Sequence, residues 1–165
     1  MDIRAIESGD LDALLHLYTH LHSHDAPLPD RSVVDSVWAE VLANPRSRYF
    51  GGFDAGRLVS SCCVTVIPNL TRGCRPYGLV ENVVTHAAYR RRGWGSALLA
   101  RALEFAWSHD CYKAMLLSGR RDEATLQFYE KAGFDRHSKQ AFVARPSPAA
   151  DDDGVRARSR DGVHW

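Results

Sequence analysis

The sequence lacks an excess of charge of either sign: 21 lysines and arginines stand against 20 aspartates and glutamates, a formal net charge of +1 with a pI near 7.8. That balance removes the general electrostatic case for a nucleic-acid or lipid-surface protein. No export leader is expected either, since Met1-Asp2-Ile3-Arg4-Ala5-Ile6-Glu7 offers no basic stretch followed by an apolar run. No segment approaches the roughly 20 consecutive apolar residues that span a bilayer. The expectations are a cytoplasmic protein with neither membrane nor nucleic acid as partner. Cysteine is sparse: Cys62, Cys63, Cys74 and Cys111 form no CxxC pair and no metal-ligand spacing, so free thiols and no metal are expected in a reducing compartment. Asn69-Leu70-Thr71 matches a glycosylation acceptor, which carries no weight without export.

What is present is enough for one core. The 165 residues, 45% hydrophobic, read as a single domain over 1–145. A short strand is expected at Ile3 to Ile6. Leu11, Leu14, Leu15 and Tyr18 then recur at one helical face, and His20, His22 and His24 lead into the breaking segment Asp25-Ala26-Pro27-Leu28-Pro29. Asp30 is placed to cap a second helix bearing Val34, Val37, Trp38 and Val41. From Ser47 the period changes to two: Tyr49 to Phe53 and Leu58 to Ile67 read as strands joined at Asp54-Ala55-Gly56-Arg57. A turn-rich connection with Arg72 and Arg75 precedes a central strand, Tyr77 to Thr85. A long helix from Gly93 aligns Leu98, Leu99, Ala102, Leu103 and Ala106. Tyr112 to Leu117 form a strand candidate; Thr125, Phe128, Tyr129 and Ala132 give another helical face. An extended segment near Phe134 and a final strand around Gln140 to Ala144 complete the reading. Beyond it, 146–165 carries no apolar periodicity able to offset ordering entropy and is expected to be a flexible tail.

The most informative segment is Val83-Val84-Thr85-His86-Ala87-Ala88-Tyr89-Arg90-Arg91-Arg92-Gly93-Trp94-Gly95-Ser96, which joins the central strand to the long helix through two close glycines. Amides ahead of the first completed helical turn have no internal acceptor, and the helix field attracts negative charge. Gly93 and Gly95 would let a phosphate approach without a Cβ in the way. The spacings of a Walker A loop and of a GxGxxG dinucleotide turn are both absent. Two glycines relieving crowding beside solvated arginines is the bland alternative.

Arg90-x-x-Gly93-x-Gly95 resembles the acyl-CoA pyrophosphate loop of the GNAT superfamily of N-acetyltransferases. Val80-Glu81-Asn82-Val83-Val84-Thr85 looks like that family's central strand, and Phe128-Tyr129-Glu130-Lys131-Ala132-Gly133-Phe134 resembles its later helix-to-strand motif. The resemblance runs from about Ile3 to Ala144. It implies an α/β fold, or α+β by some conventions, with a mixed, mostly antiparallel sheet flanked by helices, and acetyl-CoA as cosubstrate. It further implies that the backbone of Val83, Val84 and Thr85 holds the pantetheine arm. The amides from Arg91 through Arg92, Gly93, Trp94 and Gly95 to Ser96 would cradle the pyrophosphate, with Arg90 adding charge. Where the family often has asparagine, seven residues before the later tyrosine, this chain has Asp122. A homodimer is a further implication by family analogy.

Transfer to an amine needs a neutral nucleophile, a stabilised oxyanion and a proton for the departing thiolate. Tyr129 is the general-acid candidate, against a purely structural aromatic. Glu81 is the base candidate through an ordered water, on an alternation that puts it on one strand face with Val83 and Thr85. Binding a substrate ammonium, or satisfying nearby backbone groups, is its alternative. Substrate-contact candidates are Arg72 and Arg75, for an amine carrying carboxylate or phosphate, and Ser118, beside Arg120 and Arg121, at the border of the acceptor cavity. His86 could accept a proton or simply contact backbone. The expected activity is acetyl transfer to a primary amine, preferably a small molecule. Protein amines and a non-enzymatic acyl-CoA sensor are the competing readings.

Overall fold

The computed structural model describes residues 1–21 and 25–146. His22 and His24 of the histidine run, and the tail from 147 onward, lie outside the described residues. Five strands form one sheet in the order β1 (Asp2–Ala5), β2 (Ser47–Asp54), β3 (Arg57–Ile67), β4 (Tyr77–Thr85) and β5 (Ala114–Leu116). The first four are antiparallel; β5 runs parallel to β4. The helices are α1 (Leu11–Tyr18), α2 (Arg31–Ala43), α3 (Trp94–Ser108) and α4 (Glu123–Lys131). This is the expected mixed, mostly antiparallel sheet flanked by helices. No described helix is long and apolar enough to cross a membrane.

The helical periods bury the predicted faces. On one side of the sheet Leu98, Leu99, Ala102 and Ala106 of α3 close over Phe50, Cys62, Val64, Val66 and Val80, with Phe128 and Tyr129 of α4 against the same cluster. On the other side Leu11, Leu14 and Leu17 of α1 and Trp38 of α2 cover Phe53, Leu58 and Val84. The stripe of α1 centres on Leu17, with Leu15 and Tyr18 at its margin, and Val37 of α2 faces outward. Asp30 occupies the cap position of α2, but only its carbonyl accepts from the helix. The β2–β3 turn takes positive φ at Ala55 (49°) and Gly56 (79°), as the right-handed twist of a two-residue hairpin requires.

One sequence expectation fails at the C-terminal end. Gln140 to Ala144 form no strand and pair with no strand in the described residues, and Phe142 is 86% exposed. The segment at Phe134 is likewise outside the sheet, its amide closing the end of α4 on the Tyr129 carbonyl (3.1 Å). Alternation shows that a segment could pair; a free edge in the right register decides whether it does. Arg136 instead fastens this part of the chain to α4, bonding Glu123 (2.8 and 3.0 Å) and Glu130 (2.6 and 2.7 Å).

Candidate active site

The site is organised by where β4 stops pairing. Strand β5 matches β4 only at Gly78, Leu79 and Val80. From Glu81 to Thr85 the outer edge of β4 has no β5 partner, roughly 16 Å of extended backbone at about 3.3 Å per residue. The parting coincides with a bulge: Cys63 pairs Glu81 and Ser61 pairs Val84, so Asn82 and Val83 together oppose Cys62. Asn82 takes φ of 52°, in the left-handed region that asparagine tolerates better than most residues.

That extra residue corrects the face assignment. Glu81 stands opposite Cys63, which pairs Tyr49 on the α1–α2 side, whereas Val83 packs with the α3 cluster. Thr85 is also on the α3 side, its Oγ1 2.6 Å from Ser60 Oγ, which donates to the Val84 carbonyl at 2.8 Å. Glu81 therefore lies on the opposite face from Val83 and Thr85. Simple alternation puts all three together; one inserted residue reverses the parity. Glu81 is exposed, while the polar groups on its face are buried (Cys63, Ser61) or half-buried (Tyr49, Tyr18). Burial pushes the Tyr49 hydroxyl up to about 12 and the Cys63 thiol up to about 11. Tyr18 Oη and Ser61 Oγ, on the same face, are buried without a hydrogen-bond partner among the described residues.

The turn between β4 and α3 presents donors. Arg91 (φ 61°) and Gly93 (φ 85°) both adopt left-handed conformations, curling the backbone into a concave run of N–H groups. The first amide of this run to find a backbone acceptor is Ala97, on the Gly93 carbonyl at 3.0 Å; those of Arg91, Arg92, Gly93, Trp94, Gly95 and Ser96 have none in the described residues. Such a run at the start of a 15-residue helix fits linked phosphates. Arg90 folds back, its Nε donating to the Thr85 carbonyl (3.2 Å). The two glycines serve different ends. Gly93 provides the backbone angle; a Cβ there would meet only Met1 Cε, at 3.6 Å. Gly95 provides helix contact, since its Cβ would stand 2.9 Å from Phe128 Cζ. Gly95 thus seats α4 on α3, a role that spacing alone does not reveal.

That seating positions Tyr129, adjacent to Phe128, half-buried on the α3 side. Burial raises its hydroxyl above the ordinary phenol range, Arg120 opposing the shift and Cys62 adding to it. Tyr129 thus belongs to the α3 side of the sheet and Glu81 to the α1–α2 side. Asp122 caps α4, its carboxylate accepting from the Thr125 amide and hydroxyl, both at 2.9 Å; those bonds hold its pKa below the usual value. Ser118 follows β5 and accepts from the Arg120 amide (3.2 Å). Arg72 and Arg75 are not gathered with Glu81 and Tyr129. Arg75 pairs Asp110 (3.0 Å) beyond the C-terminal end of α3, and Arg72 lies over the Tyr112 ring. Their loop borders a 440 Å³ surface cavity lined by Arg46, Leu70, Cys74 and His109 among others. His86 Nδ1 is already occupied by the Ala88 amide (3.2 Å). All four cysteines are free, and the described residues contain no metal-holding cluster.

Known proteins resemble this chain in sequence and in fold. Residues 11–134 match the sequence profile of the Acetyltransferase (GNAT) family. A Trypanosoma brucei brucei protein named glucosamine 6-phosphate N-acetyltransferase is 34% identical over 140 residues, 85% of this chain and 92% of that one. A putative acetyltransferase from Agrobacterium tumefaciens superposes with a TM-score of 0.82 at 40% identity, covering 88% of this chain and all of its own. A Trypanosoma brucei acetyltransferase gives 0.72 at 34% identity over 87% and 99% of the two chains. Both the matched profile and the shared architecture place this chain in the GNAT acetyltransferase family.

Proposed function

We propose that the protein is an acetyl-CoA-dependent N-acetyltransferase that acetylates the primary amine of a small molecule by direct attack in a ternary complex. The observation that carries this reading is the conjunction of an unpaired β4 edge with a run of acceptor-free amides at the start of α3. An extended arm with amide groups can bond the edge at Val83 to Thr85 while its phosphates meet the amides of Arg91 to Ser96. Acetyl-CoA supplies the activated thioester.

Glu81, through an ordered water, takes one proton from the acceptor ammonium and passes it to solvent. The free amine then attacks the thioester carbonyl, and the proton the nitrogen sheds as the C–N bond forms leaves by the same route. Tyr129 donates its phenolic proton to sulfur as the C–S bond breaks, releasing CoA thiol, and is reprotonated from solvent. The Tyr129 phenol, whose pKa burial raises, stands in its protonated donor form at neutral pH. Hexosamine 6-phosphates are the first acceptors to test, supported by the name of the Trypanosoma relative.

The test is acetyl-CoA consumption against a panel of amines, phosphorylated and not, with product mass identification and a no-acceptor control. An N-acetylated product supports the reading. CoA binding without turnover on any amine would instead establish an acyl-CoA sensor.

A further inference from the structure

The corner where β4 ends and β3 begins collects cations and imidazoles. His86 follows Thr85, and its amide bonds the Val59 carbonyl of β3 (2.9 Å), which brings the start of β3 alongside. Arg57 Nη2 lies 3.4 Å from His86 Nε2. The His20 ring, beyond the end of α1, stands 4.3 Å from the His86 ring, with His16 behind it at 6.4 Å.

The tautomer of His86 makes this corner informative. The Ala88 amide donates to Nδ1 at 3.2 Å, so in the neutral ring the proton sits on Nε2. The 3.4 Å approach of Arg57 to Nε2 therefore sets a donor against a donor. Two N–H groups that face each other at an exposed corner can both donate to one added acceptor in place of water. The surroundings do not provide one: in the described residues Arg57 and Arg90 form no ion pair, and Asp54, which pairs Arg57 across the hairpin, makes none either. His20, Arg57, His16 and Arg90 all disfavour a positive charge on His86, after burial as the leading cause, which fits a corner short of negative charge.

We propose that Arg57, His86 and His20 form an oxyanion-binding site for a phosphate group, separate from the amides at the start of α3. One oxygen accepts from both Arg57 Nη2 and His86 Nε2, and the neighbouring His20 ring supplies a further donor. The site does not depend on the proposed acetyl transfer, because its occupancy is read without turnover.

The probe is inorganic phosphate, titrated at constant pH and ionic strength against the full chain, with the imidazole nitrogen resonances of His86 and His20 followed by NMR. Saturable shifts of both are expected. Arg57→Ala should weaken phosphate binding at least about tenfold, the loss of one charge-assisted hydrogen bond. His86→Asn, which retains a side-chain acceptor for the Ala88 amide, should weaken it too, whereas Arg101→Ala on the outer face of α3 should leave it unchanged. Non-saturable shifts, or equal affinity in Arg57→Ala, would overturn the proposal. Competition identifies the natural source. Displacement by CoA but not 3′-dephospho-CoA assigns a coenzyme phosphate, and displacement by a phosphorylated amine but not its parent assigns the acceptor. Phosphate that neither displaces marks an adventitious ion only and would overturn the proposal.

Discussion

Alanine at Gly95 would carry a Cβ 2.9 Å from Phe128 Cζ and 3.2 Å from Cε2. Overpacking of this kind costs about 1–3 kcal/mol. Alanine gains up to about 1 kcal/mol over glycine inside a helix, and less so near the start, where Gly95 lies. The net loss is about 1–2 kcal/mol, which for a chain of this size lowers Tm by about 2–8 °C. At Gly93 the space is open but φ is 85°, so alanine costs about 1–2 kcal/mol through backbone conformation alone. The two positions should therefore rank their variants in opposite order. Asparagine, which tolerates left-handed angles, should beat alanine at 93; at 95 it should be worse than alanine, because its larger side chain meets the same ring. Chemical denaturation of the four variants checks the ranking, and Gly95→Ala combined with Phe128→Leu checks the mechanism. Removing the ring tip should recover part of the alanine penalty, a coupling visible in the double-mutant cycle. Additive losses at 95 and 128, or a Gly95→Ala protein that melts with the wild type, would refute helix contact as the reason for this glycine.

Tyr129→Phe should fold normally and lose about 10²-fold or more in kcat with the acceptor found in the amine panel. In the wild type the general acid works below its pKa, which burial raises, so the alkaline limb of the kcat profile should lie above the ordinary phenol value of about 10 and vanish in the variant. Glu81→Gln should lower kcat/KM most at low pH, where the carboxylate is needed to deprotonate the ammonium; an unchanged profile would reduce Glu81 to a polar contact. Arg136→Ala should lower Tm at neutral pH by releasing α4 from the segment that follows it. The Arg136 bonds hold the Glu123 carboxyl down to about 2 and depress Glu130 as well. A depressed carboxyl stabilises above its unfolded pKa and loses that contribution as pH falls through the folded one, so the gap between wild type and variant should close from about pH 4.5 towards 2. Asp122→Ala should lower Tm and Asp122→Asn should largely restore it, since the side chain serves as a hydrogen-bonding cap.

The sequence by itself determined the order of elements up to α4, because a 3.6-residue or two-residue apolar period survives without knowledge of neighbours. Leu98, Leu99, Ala102 and Ala106 had to share a face on any α3, and Tyr77 to Thr85 had to extend. It also determined the donor-rich turn, since glycine at 93 and the helix start after it are local properties. Tertiary structure decided what depends on a partner. Whether Glu81 shares a face with Thr85 turned on one bulge residue, Asn82, set by pairing with β3. Whether Gly95 serves a ligand or a helix turned on where Phe128 arrives. Gln140 to Ala144 could alternate without finding an edge in the described fold, and Arg75 could carry charge yet pair with Asp110, 35 positions away. Periodicity is written along the chain; register, partners and the direction of a side chain arise only when distant segments meet.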